Sequence, residues 1–306
     1  MQRILVTGGA GFIGSSLAEK LSQLEDTLIV IADNLSTGKK EKIPTSTKNN
    51  IKFIKCNVNT ESEITSVFHA FPFDYVFHYA AMVGVERTLK NPVEVLKDID
   101  GIKNVLNLSK NTGVKRVFYA SSSEVYGEPV EFPQNEDTTP LNSRLPYAIV
   151  KNVGEAYLKS FKQEFDLDYT IFRFFNTYGV KQSSDFVISK FIDAAKKGED
   201  ITINGDGSQT RTFCHIDDNI EATVNTLLSN EFINDTINIG NNLEVTILEL
   251  AKKIITLTNS SSKIVHLPPL KEGDMTRRHP DISKMKKLLN RELISLDDGL
   301  SKIIKQ

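Results

Sequence analysis

Residues 3–14 read RILVTGGAGFIG, an apolar run that breaks into Gly8, Gly11 and Gly14 at G-x-x-G-x-x-G spacing. Where a strand ends in such a turn and a helix opens, the backbone can approach a pyrophosphate closely. The helix N-terminus then offers it unpaired N–H groups. Asp33 lies 19 residues beyond Gly14 (33 − 14), at the end of the next apolar run, TLIVIAD. A carboxylate there suits both hydroxyls of an adenosine ribose and repels a 2′-phosphate, which favours NAD over NADP. Lys39 and Lys40 read as a solvated loop. Asn57 ends the third strand region, within reach of the adenine, and the small Ala80–Ala81 pair leaves the backbone room to approach the cofactor.

Outward from that turn, strand and helix patterns alternate for about 175 residues. RILVTG, TLIVIAD, IKFIKCNV, YVFHYAA, VKRVFYASS and YTIFRFFN read as strands. Ser15 to Gln23, Glu61 to Ala70, Pro92 to Asn111 and Pro146 to Phe165 read as helices. This order predicts an α/β fold, a Rossmann doubly wound parallel sheet with helices on both faces. Later pieces are shorter. A helix from Phe186 to Lys197 precedes ITINGDGSQTRTFCHI, read as strand, glycine-rich turn, strand; Asp217–Ser229, TINIG and Ile247–Thr258 follow. These pieces predict a smaller C-terminal substrate-binding lobe over the carboxyl edge of the sheet, where open α/β sheets hold ligands. Residues 1–175 are thus expected to bind NAD, with returns near 213–245, and 176–306 to form most of an interleaved nucleotide-sugar-binding lobe.

Composition narrows the function. The 306 residues are 40% hydrophobic and 25% charged with a formal charge of −2, so there is no basic footprint for nucleic acid. Cys56 and Cys214 make neither a disulfide framework nor a metal spacing, and the five histidines, His78 and His215 among them, show no ligand spacing. No metal is expected. No apolar run reaches the ~18 residues of a membrane span, and the chain enters a strand at once, so a cytoplasmic enzyme is the expectation.

Tyr147 and Lys151 stand four apart in PYAIVKNVGEAYLKSF and share a helix face. A cation near a phenol favours the phenolate. With TGGAGFIG, DNLSTG (33–38), HYAA (78–81), SSSEVYGEP (121–129), YAIVK (147–151), FRFFNTYG (172–179), GDGSQTRTF (205–213) and RRHPDISK (277–284), the chain resembles the extended short-chain dehydrogenase/reductase family. Its relatives there are the NAD-dependent epimerases and dehydratases of nucleotide sugars, including UDP-glucose 4-epimerases and UDP-glucuronate decarboxylases. The resemblance implies that Tyr147 removes the proton from a sugar hydroxyl at C4. Lys151 would bind the nicotinamide ribose and hold the tyrosine pKa down, while Ser122 bonds the same hydroxyl and hydride passes from C4 to NAD. It extends the cofactor set to Phe12, Ile13, Asn34, Ser36, Thr37, Gly38, Val58, Tyr79 and Ala120. It adds Ser123 to Ser122 and Glu124 as substrate contacts, and places Asn176, Arg211 and Arg278 on the sugar-nucleotide diphosphate. A homodimer through paired long helices is implied as well. The chain departs from the family at Asp98 (usually Asn), at Asn57 (usually Asp) and at Val180–Lys181 (commonly Pro-Arg).

Glu124 divides the possible outcomes after C4 oxidation. Simple epimerisation needs no carboxylate there, and many similar epimerases carry a small residue. The family's 4,6-dehydratases and uronate decarboxylases carry Glu. Ser123 stands where one dehydratase branch has Asp, NSRLPYA departs from the decarboxylase pattern, and DNLSTG leans toward the epimerases. Net C4 epimerisation of a nucleotide-diphosphate hexose is the expectation. A 4-dehydrogenase, a uronate decarboxylase or a 4,6-dehydratase using Glu124 are the alternatives, and Glu124 as a plain hydrogen-bond acceptor stays open. A cofactor-sensing binding protein would typically lack Tyr147 or Lys151, and both are present.

Overall fold

The computed structural model describes residues 1–128, 130–269 and 277–305. Pro129 and the KEGDMT stretch (271–276), read with the diphosphate contacts, lie outside them. Strands β1 (Gln2–Thr7), β2 (Thr27–Asp33), β3 (Ile51–Lys55), β4 (Tyr75–His78), β5 (Arg116–Ser122) and β6 (Asp168–Phe174) come first. The short β7 (Thr177–Tyr178), β8 (Ile201–Asn204), β9 (Thr210–Thr212) and β10 (Cys214–His215) follow, then β11 (Asp235–Ile239), β12 (Glu244–Thr246) and β13 (Ile264–Leu267). Seven of them form one sheet in the order β11-β6-β5-β4-β1-β2-β3, parallel throughout. The order reverses beside β1, so the β1 and β4 ends open a crevice, as doubly wound sheets require.

Both faces of the sheet are covered, which is why its strands are nearly continuous apolar runs. In β1 the two-residue alternation sends Leu5 into one layer and Ile4 and Val6 into the other. The first layer receives α2 (Glu61–Ala70), then the short α3 (Val85–Lys90) and α4 (Pro92–Leu96) lead into α5 (Asp98–Thr112) and α6 (Pro146–Phe165). The opposite layer receives α1 (Phe12–Ser22) and, after α7 (Val187–Lys197), α8 (Ile216–Leu228). A separate apolar cluster joins α7, β8, α9 (Ile247–Thr258) and, beyond α10 (Ser283–Leu288), Leu300 of α11 (Leu296–Ile304).

One detail differs from the pattern read in the sequence, and the pairing of two later strands adds to it. The helix expected over Pro92–Asn111 is interrupted at Lys97, where the Asp100 N–H reaches back three residues to the Lys97 carbonyl at 3.0 Å and tightens the turn. Asp98 thereby becomes the first residue of α5. The two strands of the ITINGDGSQTRTF stretch both form, but not as a pair. β8 lies parallel to β13 and β9 antiparallel to β12, partners too distant in sequence for local pattern to reveal.

α6 lies unusually close to β5. A Cβ added at Gly154 would stand 2.3 Å from the Tyr119 hydroxyl, itself buried in the sheet. Gly154→Ala is expected to lift α6 off the strand, costing about 1–3 kcal/mol by urea denaturation. Turnover should fall with it, because Tyr147 and Lys151 ride on the same helix. Wild-type stability in that variant would show that the contact is not required.

Candidate active site

The cofactor end is built by backbone geometry. Gly8 adopts φ +69°, and a Cβ there would meet the Ala80 nitrogen at 2.7 Å; at Gly14 it would meet the Gly8 carbonyl at 2.4 Å. Only hydrogen fits at either position. Gly11 precedes α1 as its cap without a side-chain bond, and the first turn holds no acidic residue, leaving its N–H groups for an anion. Asp33 is buried, its two oxygens accepting the Ala10 N–H at 3.0 Å and the Leu35 N–H at 2.8 Å. About half of its acceptor capacity stays open to a ribose. These features fit NAD.

They border one cleft of about 720 Å³. Gly8, Gly11, Phe12, Ile13, Gly14, Asp33, Asn34, Ser36, Thr37, Asn57, Val58, Tyr79, Ala80, Ala81 and Ala120 all line it, and so do Ser122, Ser123, Glu124, Tyr147, Lys151, Asn176, Arg211 and Arg278. Gly38 does not. It stands behind Asp33, where a Cβ would meet the carboxylate at 2.8 Å, so its smallness seats Asp33 and makes no wall. Asp98, Met82–Gly84 and Asp185–Ile188 line the cleft too. Apart from Asp98, noted as a family departure, none of these carried a sequence signal.

At the other end β5, buried along its whole length, delivers Ser122 to the cleft. Ser122 caps a 3-10 turn, Ser123–Tyr126, its hydroxyl accepting the Glu124 N–H at 3.2 Å. Pro146 at the first turn of α6 suits a helix start and puts Tyr147 immediately inside it. Burial pushes the Tyr147 phenol above its ordinary value. Hydrogen bonding with Ser122 and the Arg278 charge pull it back, while Glu124 and Asp98 add to the rise. Ser122 and Arg278 thus stand beside the lowering role that the sequence reading gave to Lys151. Lys151 is itself buried, donating to the Ala120 carbonyl at 2.6 Å, its nitrogen 5.7 Å from the Tyr147 ring centre. Burial brings it down to about 8, against an upward pull from Asp98.

Arg278 arrives from far along the chain. Residues 279–281 dock beside Gln134, whose N–H reaches the His279 carbonyl at 2.7 Å and whose carbonyl accepts the Asp281 N–H at 2.8 Å. Arg277 next door grips Glu244 with two bonds of 2.7 Å and covers the Phe132 ring. Arg278 donates to Glu124 at 2.5 Å and to Ser123 at 3.2 Å, while its Nε is buried without a hydrogen-bond partner among the described residues. A guanidinium with one donor unmet is suited to a further anion. The sequence reading put Arg278 on the diphosphate. The structure seats it beside Glu124 and the Ser122–Tyr147 pair. Arg211 and Asn176 line another stretch of wall, joined through the Asn176 bond to the Thr212 carbonyl at 3.0 Å. Beneath the serine turn, Glu155 and Arg173 form a buried pair at 2.7 Å that also holds Ser121 and Tyr126.

Residues 4–240 match the NAD dependent epimerase/dehydratase family. The chain belongs to that family. It is an NAD-dependent enzyme of nucleotide sugars in a family that joins epimerases, dehydratases and decarboxylases. The chain is 36% identical to a UDP-N-acetyl-alpha-D-glucosaminuronate decarboxylase of Bacillus cytotoxicus, over 99% of this chain and 97% of that one. It is also 36% identical to UDP-glucuronic acid decarboxylase 1 of Danio rerio, over 99% of this chain and 72% of the relative. Among solved structures it resembles the UDP-glucose 4-epimerase of Thermotoga maritima with UDP-glucose, with TM-score 0.92, 33% identity, and coverage of 99% and 98%. Among the described residues no group of three or more potential ligands could hold a metal ion, and no helix is long and apolar enough to cross a membrane.

Proposed function

We propose that this family member oxidises C4 of a UDP-hexuronate and releases its C6 carboxylate as carbon dioxide, leaving a UDP-pentose. The observation that carries the reading is the Glu124–Arg278 pair beside Ser122 and Tyr147. Inverting C4 alone asks for no charged pair there; handling a carboxylate does. The two decarboxylase relatives support the same outcome and move the preference away from net epimerisation.

Tyr147 takes the O4 proton, and Ser122 holds the same oxygen. NAD, when bound, supplies the acceptor for the C4 hydride and returns it at the end. The C4 ketone stands β to the C6 carboxylate, so the C5–C6 bonding pair can move onto the C4 oxygen as an enolate while carbon dioxide leaves. A proton then adds at C5, with Glu124 as the proposed carrier, and Tyr147 returns its proton to O4. One C–C bond is broken, one proton is taken up, and there is no net redox change. Lys151 orients the cofactor ribose, Arg278 meets the C6 carboxylate, and Arg211 and Asn176 meet the diphosphate.

C4 epimerisation of a UDP-hexose is the second reading, favoured by the likeness to the Thermotoga epimerase across nearly the whole chain. Product mass after incubation with UDP-glucuronate, UDP-N-acetylglucosaminuronate and UDP-glucose separates the two. A product lighter by carbon dioxide is expected. An isomer of unchanged mass and altered retention would replace decarboxylation with epimerisation, and no product from any of the three would sink both.

A homodimer belongs to the same proposal. Val93 and Leu96 on α4 and Ile149 and Phe165 on α6 are exposed apolar side chains on neighbouring helices, and a second copy would cover them. A monomer by light scattering at micromolar concentration would remove that part.

A further inference from the structure

Glu244 opens β12 behind the cleft wall, and the proposed reaction does not use it. Its carboxylate gathers four donors. One oxygen accepts the Arg277 Nε at 2.7 Å and the Thr210 hydroxyl at 3.0 Å. The other accepts the Arg277 Nη2 at 2.7 Å and meets the His279 Nδ1 at 3.1 Å. The Arg277 bonds draw the carboxyl down to about 2, so the group is ionised. A carboxylate can only accept, and His279 therefore carries a proton on Nδ1.

Arg277 and His279 are the two chain neighbours of Arg278. One carboxylate thus grips the chain on either side of the arginine that faces Glu124. Gln134 fixes the backbone of the same stretch, its side-chain oxygen accepting the His279 N–H at 3.1 Å. The other side of the grip is anchored as well. β12 pairs with β9, Val245 standing opposite Arg211, and it runs directly into α9, whose first turn is closed by a Thr246–Glu249 capping box. Arg211 lines the cleft where the diphosphate is proposed to lie. Glu244 therefore joins, through one side chain, the segment that carries Arg278 to the strand pair that carries Arg211.

We infer that Glu244 is a positioning residue that sets substrate preference: by holding Arg277 and His279 it seats Arg278 where the sugar carboxylate is met, at a fixed span from Arg211. The inference rests on the reading that Arg278 meets a C6 carboxylate.

Charge and position predict opposite signs. Removing a negative charge beside the cleft should, through Coulomb's law alone, strengthen the binding of a further anion. Loosening Arg278 should weaken it. Glu244→Gln separates the two, because it keeps the side chain's shape and loses the charge and the two-point grip on Arg277.

The test titrates UDP-glucuronate and UDP-glucose by calorimetry into NAD-loaded protein carrying Tyr147→Phe, so that binding is read without turnover. The two ligands share UDP and differ at C6, and the uronate should bind more tightly. Adding Glu244→Gln should weaken UDP-glucuronate about tenfold, the scale of one misplaced hydrogen bond between charged groups, and leave UDP-glucose within about twofold. Arg277→Ala, at an exposed side chain, gives a second variant if the first fails to fold, and thermal melting checks both. It should lower the same ratio, and the two changes together should cost no more than the larger alone, as partners in one contact do. Equal weakening of both ligands would reduce Glu244 to support of the β9–β12 wall. Tighter uronate binding would leave it a bare charge, and additive losses would separate it from Arg277; each of these overturns the inference. A Tyr147→Phe protein that binds both ligands alike would remove the carboxylate reading of Arg278, and the inference with it. Failure of the inference alone looks different: the uronate is preferred, and the Glu244 and Arg277 variants keep that preference.

Discussion

Replacing Tyr147 with phenylalanine should leave NAD affinity within about twofold and lower turnover by roughly a thousandfold or more, the upper range for a lost general base. The expectation rests on position. Tyr147 sits at the start of α6 with Ser122 against its hydroxyl, while the residues proposed to meet the cofactor phosphates and adenosine belong to the β1–α1 turn, α1 and β2. Phenylalanine keeps the ring and removes the one atom able to take the O4 proton. Because every outcome considered begins with C4 oxidation, the loss should be equally deep with a uronate or a neutral hexose. The check pairs turnover with NAD titration of the same preparation. Retained turnover would show that another group is the base. Joint loss of NAD binding and turnover would mean that the hydroxyl supports the cleft itself.

The second large effect belongs to the Glu124–Arg278 pair, and its two halves should fail differently. Arg278→Ala leaves a carboxylate in the cleft without its counter-charge and removes the proposed grip on the substrate. The kcat/KM for a UDP-hexuronate should fall about a hundredfold to a thousandfold, mostly through KM. Glu124→Gln frees the guanidinium, so the uronate should bind at least as well while kcat drops, because the proposed proton carrier to C5 is gone. Initial-rate kinetics on both variants with the same uronate decide it. Should Arg278→Ala leave KM untouched, the arginine does not hold the substrate. A Glu124→Gln enzyme with wild-type kcat would return the glutamate to a purely structural part.

Much of this was legible in residue order, for physical reasons. Glycine at 8 and 14 is demanded by backbone contacts that any cofactor-bearing turn of this kind imposes, so the cradle could be read from twelve residues. The parallel sheet followed from apolar runs buried on both faces. The i, i+4 spacing of Tyr147 and Lys151 needed only a helix to place them on one face. What stayed hidden depends on contacts between distant segments. Nothing near residue 124 announces Arg278, 154 positions away, and nothing near Gly38 says that it seats Asp33 without bordering the cleft. The separate partners of β8 and β9 were hidden in the same way. The burial that brings Lys151 down to about 8 depends likewise on the finished cleft, which no local stretch announces.

The late arrival of Arg278 also has a consequence for how the protein comes into being. At roughly 5–20 residues per second on the ribosome, the 127 residues separating Lys151 from Arg278 (278 − 151) take about 6–25 s to synthesise. Over that interval the nascent polypeptide already contains the glycine cradle, Asp33, Ser122, Tyr147 and Lys151, while Glu124 waits for its cation. The residues proposed to hold the dinucleotide are thus synthesised before the arginine proposed to engage the sugar. The stretch that carries Arg278 therefore supplies the second half of the charged pair only after the rest of the cleft has been synthesised.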